Sequence, residues 1–331
     1  MILGARLRPL TPAVGRARYY CPNFCRSVEF DCMRDAPPPW FTEAISSAFQ
    51  KRTLAVTGCP INYLVWGETD RPPLVLVHGG AAHAMWWSFL APQLSRHYCV
   101  IALDLSGHGD SGRRATYPVE GWADEVIAVS DDAAKGRPPV LVGHSMGGLV
   151  SIVAAAIYGE RLAGAIIVDA PVRKPDPESA AGKGGKTFRS PKTYPDLQTA
   201  MAHFRLIPEQ PCDHGFILDH IARHSLLRSA DGWTWKFDPR VFVRASPRSP
   251  RDYLADVRCR IALMRGEFST IVPPEPGEYM YELLNRNAPL VEIPQAHHHL
   301  ILDQPLAFVA ALRALLADWE HSVPRPRPDN P

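Results

Sequence analysis

The chain of 331 residues has no apolar run approaching the roughly 18–20 residues that a bilayer-spanning helix needs. A helical membrane span is therefore not expected. It also lacks a charge imbalance: 36 Lys and Arg stand against 34 Asp and Glu, for a net charge of +2. Nothing electrostatic favours nucleic acid or an anionic membrane as partner. Cysteine is sparse and odd in number, with seven residues scattered from Cys21 to Cys259. That pattern is not a disulfide framework and points to a reducing, cytoplasmic compartment. Cys21-x-x-x-Cys25 is at most half a metal site, and no second pair of ligands lies near it in sequence. No metal or organic cofactor is expected.

The first residues are rich in Arg and interrupted by Pro and Gly. No sustained apolar stretch follows them, so a secretory signal is not expected. A weak likeness to an organelle-targeting segment remains. Met33 is an alternative natural start, in which case residues 1–32 are dispensable.

What the chain does hold is 46% hydrophobic and 21% charged residues, ordinary proportions for a soluble globular protein. The length suits one large α/β domain with an insertion. Pro139–His144 reads as a buried strand, Gly143-His144-Ser145-Met146-Gly147 as a sharp turn, and Leu149–Ile157 as an apolar helix. A strand that turns at once into a helix forces its middle residue into a strained conformation, and only small neighbours fit beside it. Such a turn presents a serine hydroxyl above the sheet. Ser145 is the candidate nucleophile.

Around it, strands alternate with helices, the pattern of a doubly wound, mostly parallel sheet. Arg52–Thr57 and Ile61–Trp66 predict a hairpin about Gly58. Leu74–Val77 is an apolar run that suits a strand covered on both faces, Cys99–Leu103 reads as the next buried strand, Gly164–Val168 as another apolar strand, and Cys259–Met264 and Leu290–Ile293 as the last two strands. Helices are predicted over Trp40–Phe49, Trp86–Ser95, Val119–Ala134, Glu275–Arg286 and Gln304–Trp319. From Val172 to Asp256 the rhythm breaks, with helical patterns at Tyr194–Leu206 and Asp213–Leu227, a polar loop over Pro175–Lys192, and an aromatic cluster of Trp233, Trp235, Phe237 and Phe242. The expected division is a flexible extension over 1–36, a core over 37–171 and 257–322, a helical cap over 172–256, and a disordered tail over 323–331.

A serine hydroxyl is nearly inert at neutral pH and needs a base, which needs an orienting acid. His297-His298-His299 follows the last strand and supplies the base. His298 is the chosen candidate, with His297 and His299 structural or lining the pocket. Three adjacent histidines point in different directions and lack the companions of a metal motif.

Four motifs, in this order, resemble those of the α/β-hydrolase superfamily, in the branch with a helical cap between the sixth and seventh core strands. The resemblance covers roughly residues 52–320. His78-Gly79-Gly80 is similar to the oxyanion loop, Gly107-His108-Gly109-Asp110-Ser111 to a glycine-rich turn common in this branch, and Gly143–Gly147 to the nucleophile elbow. His298, seven residues before Pro305, matches the base position. The resemblance implies oxyanion donors at the backbone N–H groups of Gly80 and Met146, and a structural role for His78. His83, Trp86 and Trp87 are candidates to face the pocket, with the core as the alternative for the two tryptophans.

The acid departs from the family pattern. Ser269 occupies the usual Asp position. Asp169, at the end of the sixth strand, is the expected substitute. Glu267 is the alternative, and a triad without a strong acid is a third possibility. The implied activity is hydrolysis of carboxylic esters through an acyl-enzyme, on a small hydrophobic ester. The rival readings are a C–C bond hydrolase of ring-cleavage diketones on the same triad, and a non-catalytic receptor on this scaffold. An Asp nucleophile is usual in dehalogenases and epoxide hydrolases, and Ser145 disfavours both.

Overall fold

The structure is a computed structural model, and it describes residues 36–174, 192–243, 246 and 248–321. The N-terminal extension up to residue 35, the polar loop over 175–191 and the tail from 322 lie outside the described residues.

Helix α1 (Pro39–Ile45) opens the described chain and buries Phe41. It stops before the predicted Phe49, because the Ser46 and Ser47 hydroxyls donate to the Thr42 and Glu43 carbonyls and close its last turn. Strands β1 (Gln50–Val56) and β2 (Cys59–Trp66) pair antiparallel about Thr57 and Gly58. Both turn residues have positive φ, which matches the right-handed twist of the flanking strands.

Strand β3 (Pro73–Val77) leads to a 3-10 turn at Ala84–Trp87 and a one-turn helix α2 (Ala91–Leu94). The single helix predicted over Trp86–Ser95 is therefore broken. Pro92 has no N–H to donate and its ring crowds the carbonyl four residues back, so the helix must restart there. Then follow β4 (Cys99–Leu103), α3 (Val119–Ala134), β5 (Val140–His144), α4 (Met146–Tyr158) and β6 (Gly164–Val168).

The insertion holds α5 (Leu197–Ala202) and α6 (Gly215–His224), both shorter than predicted. It also holds a hairpin, β7 (Leu226–Ser229) with β8 (Gly232–Trp235), where no strand was expected. Helix α7 (Pro250–Ala255) packs Tyr253 and Leu254 into the main core. The chain finishes with β9 (Ile261–Gly266), α8 (Pro274–Leu283), β10 (Leu290–Ile293), α9 (Leu300–Asp303) and α10 (Pro305–His321).

The main sheet has eight strands in the order β1-β2-β4-β3-β5-β6-β9-β10. All pairings are parallel except those of β2, which runs against both neighbours. Alternate residues serve opposite faces. Val75, Val77, Leu141, Ile167 and Leu263 pack toward α3 and α4. Leu74, Leu76, Val142, Ile166 and Met264 pack against α2 and α10. Two-sided burial explains the unbroken apolar runs. Each such side chain contributes about 1.5–3 kcal/mol when removed from water. The carboxyl ends of β3, β5, β6 and β9 thus form one rigid edge.

Candidate active site

At that edge β5 ends in His144, Ser145 takes φ 55° and ψ −118°, and α4 starts at Met146. The conformation is strained for a residue with a Cβ, by about 1–3 kcal/mol. It persists because its surroundings leave no alternative. The Ser145 N–H donates to the Val168 carbonyl at 2.8 Å, tying the turn to β6. A Cβ on Gly143 would stand 2.2 Å from the Gly147 carbonyl oxygen, and one on Gly147 would stand 2.3 Å from that of Val77. Neither position admits a side chain.

His298 comes from the loop between β10 and α9 and is 3% exposed. Its Nε2 lies 2.9 Å from Ser145 Oγ, and its Nδ1 lies 2.8 Å from Asp169 Oδ1. An ionised carboxylate only accepts, so Nδ1 carries the proton and Nε2 is left to accept from the serine. The His298 carbonyl is in turn held by His144 Nε2 at 2.9 Å. On the other side of this loop, Gln210 Oε1 accepts from the His299 N–H at 2.8 Å.

Asp169 ends β6 with φ 47° and is fully buried. A carboxylate so placed needs donors. It has three: His298 Nδ1, the Gly266 N–H at 2.8 Å on Oδ2, and the Ser269 hydroxyl at 2.6 Å on Oδ1. Glu267 points elsewhere and accepts from the Gln295 N–H at 2.8 Å.

Met146 is the first residue of the 13-residue α4, where N–H groups have no acceptor within the helix. The His78–Gly80 loop lies alongside. A Cβ on Gly79 would be 3.3 Å from Ser145 Cβ, and one on Gly80 would be 3.0 Å from the Phe242 ring and 3.8 Å from Met146 Sδ. His78 braces this loop, donating from Nδ1 to the Gly79 carbonyl and accepting at Nε2 from the Leu105 N–H at 3.1 Å. Burial pushes His78 down to about 4 and keeps it neutral.

His83 is buried and pairs through Nε2 with Ser225 Oγ of the insertion at 2.8 Å. Trp87 is fully buried beside Phe308, and Trp86 packs on His299. His297 turns outward, with its N–H on Asp303 Oδ2 at 2.7 Å and its ring near Phe268. His299 stays buried against His298 and His144, and burial lowers it to about 3. Neither of its ring nitrogens reaches a hydrogen-bond partner with normal geometry, although the backbone of Ile207 and Pro208 lies beside it.

The ring nitrogens of His144, His298 and His299 lie within 4.8 Å of one another, so this trio is where the described residues could converge on a metal ion. Two are already engaged, His298 Nε2 with Ser145 and His144 Nε2 with a backbone carbonyl. A cavity of about 540 Å³ lies away from these residues, between the Thr57–Pro60 turn and the start of α3, and Ser145, His298 and Asp169 do not line it.

Three further side chains brace this arrangement, and the sequence did not mark them for it. His144 holds the His298 carbonyl, Gln210 holds the following peptide, and Ser269 donates to Asp169. His144 and Ser269 lie inside motifs that were read for other residues. Gln210 carries no local signal.

A model of the alpha/beta hydrolase family matches residues 74–312. The chain is 28% identical over 250 residues to a pimeloyl-[acyl-carrier protein] methyl ester esterase of Neisseria meningitidis serogroup C, covering 72% of this chain and 91% of that protein. The protein of the same name from Aliivibrio fischeri is 25% identical over 268 residues, covering 75% and 95%. Among solved structures, E-2-(acetamidomethylene)succinate hydrolase superposes with a TM-score of 0.69 at 21% identity, covering 82% of this chain and 100% of that one.

Proposed function

Because the chain belongs to the α/β-hydrolase family, we propose that it is a serine hydrolase of carboxylic esters working through Ser145, His298 and Asp169. The observation that carries this reading is the continuous relay of 2.9 Å and 2.8 Å from Ser145 Oγ through His298 to Asp169. The ester-hydrolase names of relatives that match over most of their length support the choice of bond.

Ser145 Oγ attacks the acyl carbon while its proton passes to His298 Nε2. Negative charge moves to the former carbonyl oxygen, where the N–H groups of Met146 and Gly80 receive it. Asp169 stabilises the imidazolium and holds its tautomer. The imidazolium returns the proton to the leaving oxygen, and alcohol departs. Water then attacks the acyl-serine with the same base, releasing acid and restoring the hydroxyl.

The substrate is a small ester with an apolar group; Phe242 and Met146 are apolar side chains beside Gly80. Cys59, Cys99 and Cys212 are thiols, which favours a reducing compartment such as the cytoplasm. No described helix is long and apolar enough to cross a membrane.

Turnover of p-nitrophenyl butyrate tests the reading. Ser145→Ala should lose on the order of 10⁴-fold or more in kcat with an unchanged fold. Equal rates for the folded variant and the parent would refute it.

A further inference from the structure

Ser269 is 4% exposed in the loop after β9. Its oxygen accepts from the Ile271 N–H at 3.2 Å and the Val272 N–H at 3.1 Å. A hydroxyl has two acceptor lone pairs and one proton. Both lone pairs are taken, so the proton has one direction left, toward Asp169 Oδ1 at 2.6 Å. That oxygen is the one His298 Nδ1 touches at 2.8 Å.

We propose that Ser269 is a positioning residue of the triad: from a direction fixed by two backbone amides, its hydroxyl locks the Asp169 carboxylate against His298 and shares part of the negative charge shown to the imidazolium. The inference rests on the Ser145–His298–Asp169 reading. A short, charge-assisted hydrogen bond of this kind is among the stronger ones in proteins. Gly266 N–H grips the other carboxylate oxygen at 2.8 Å, so without Ser269 the carboxylate stays beside His298 but is otherwise held at one oxygen only and its orientation is no longer fixed.

The charge consequence has a sign. Without the serine donor, Oδ1 presents more negative charge to His298, the imidazolium is better stabilised, and the base takes up its proton at higher pH. The other titratable groups facing His298 are His144 and His299, each with its ring centroid 4.9 Å away, and burial holds both below the usual histidine range. They remain neutral through the window that matters and do not mask the shift.

The experiment compares Ser269→Ala, Ser269→Thr and Asp169→Asn with the parent, reading kcat, KM and the acid limb of kcat/KM on p-nitrophenyl butyrate, with a urea midpoint for each. Ser269→Ala should lower kcat about 10–100-fold with little change in KM. Its acid limb should move to higher pH. Threonine should restore both. Where alanine does not fold, Ser269→Cys, of similar size and a weaker donor, should move both quantities in the same direction. Parent-like values for Ser269→Ala, beside an inactive Asp169→Asn, would overturn the positioning role alone. A lower kcat with an unmoved limb would also overturn it, leaving Ser269 as a prop for the loop. Parent-like activity of Asp169→Asn would overturn the relay reading along with it.

Discussion

Glu267 Oε2 accepts a hydrogen bond from the Gln295 N–H at 2.8 Å, which turns this carboxylate away from His298. Asp169 fills the place instead, with His298 Nδ1 at 2.8 Å. Two acids that strand order alone leaves equivalent are separated by where their side chains point.

The consequence for turnover is a contrast between two conservative changes. Asp169→Asn keeps shape and loses the acceptor that fixes the tautomer, so kcat should fall by about 10⁴-fold. Glu267→Gln should stay within a few-fold of the parent. Steady-state kinetics of both on one ester decides between them, and the reverse ranking would move the acid to Glu267.

The elbow gives a prediction about packing. In Gly147→Ala the new Cβ would sit 2.3 Å from the Val77 carbonyl oxygen and 2.6 Å from that of His78. The backbone must shift, at a cost of about 1–3 kcal/mol or more, and the His78–Gly80 loop moves with it. Gly215→Ala, where a Cβ meets nothing within 4 Å, is the control and should cost little. Urea midpoints of the two variants measure the difference. Equal midpoints would show that the elbow tolerates a side chain.

Buried and half-buried histidines give the protein an acid-side weakness. Burial pushes His78 and His220 down to about 4 and His299 down to about 3; for His220 the charges of His224 and Arg223 push the same way. Each is neutral when folded, while the unfolded chain takes up its proton near pH 6.5. Their contribution is therefore complete above about pH 6.5 and is lost as pH falls toward 4, at up to roughly 1.4 kcal/mol per pH unit for each histidine. His220 Nε2 pairs with Ser88 Oγ at 2.8 Å and joins the insertion to the core. His220→Gln should flatten the fall. Urea titrations between pH 7.5 and 4.5 measure it, and a parent whose stability rises on acidification would contradict the account.

Legibility of the fold followed burial. Cys99–Leu103, Val119–Ala134, Gly164–Val168 and Leu290–Ile293 have the bounds their patterns predict. The first three are two-sided strands or a clean amphipathic helix. The insertion was less legible, because its elements are short, four to ten residues each, and too brief for a clear period. The β7–β8 hairpin still carried a signal, since Asp231-Gly232 leads into Trp233-Thr234-Trp235, residues of high strand propensity, and Gly232 has φ 128°. The helical reading of Asp213–Leu227 ran over it.

At the site, motif order singled out Ser145 and His298, which the structure brings together. Motif order could not choose between Asp169 and Glu267. A choice of acid depends on side-chain direction at a strand end, and period-two patterning ends where the strand does. Ser269 was visible only as the absence of an acid. Its hydroxyl gains meaning from Ile271, Val272 and Asp169 at once.

The most direct test of the central claim is covalent. The folded protein is treated with a fluorophosphonate, digested, and its adduct mapped by mass spectrometry. The account predicts one stoichiometric adduct, on Ser145, lost in Ser145→Ala and slowed strongly in His298→Ala. An unlabelled folded protein, or an adduct on any other residue, would contradict it.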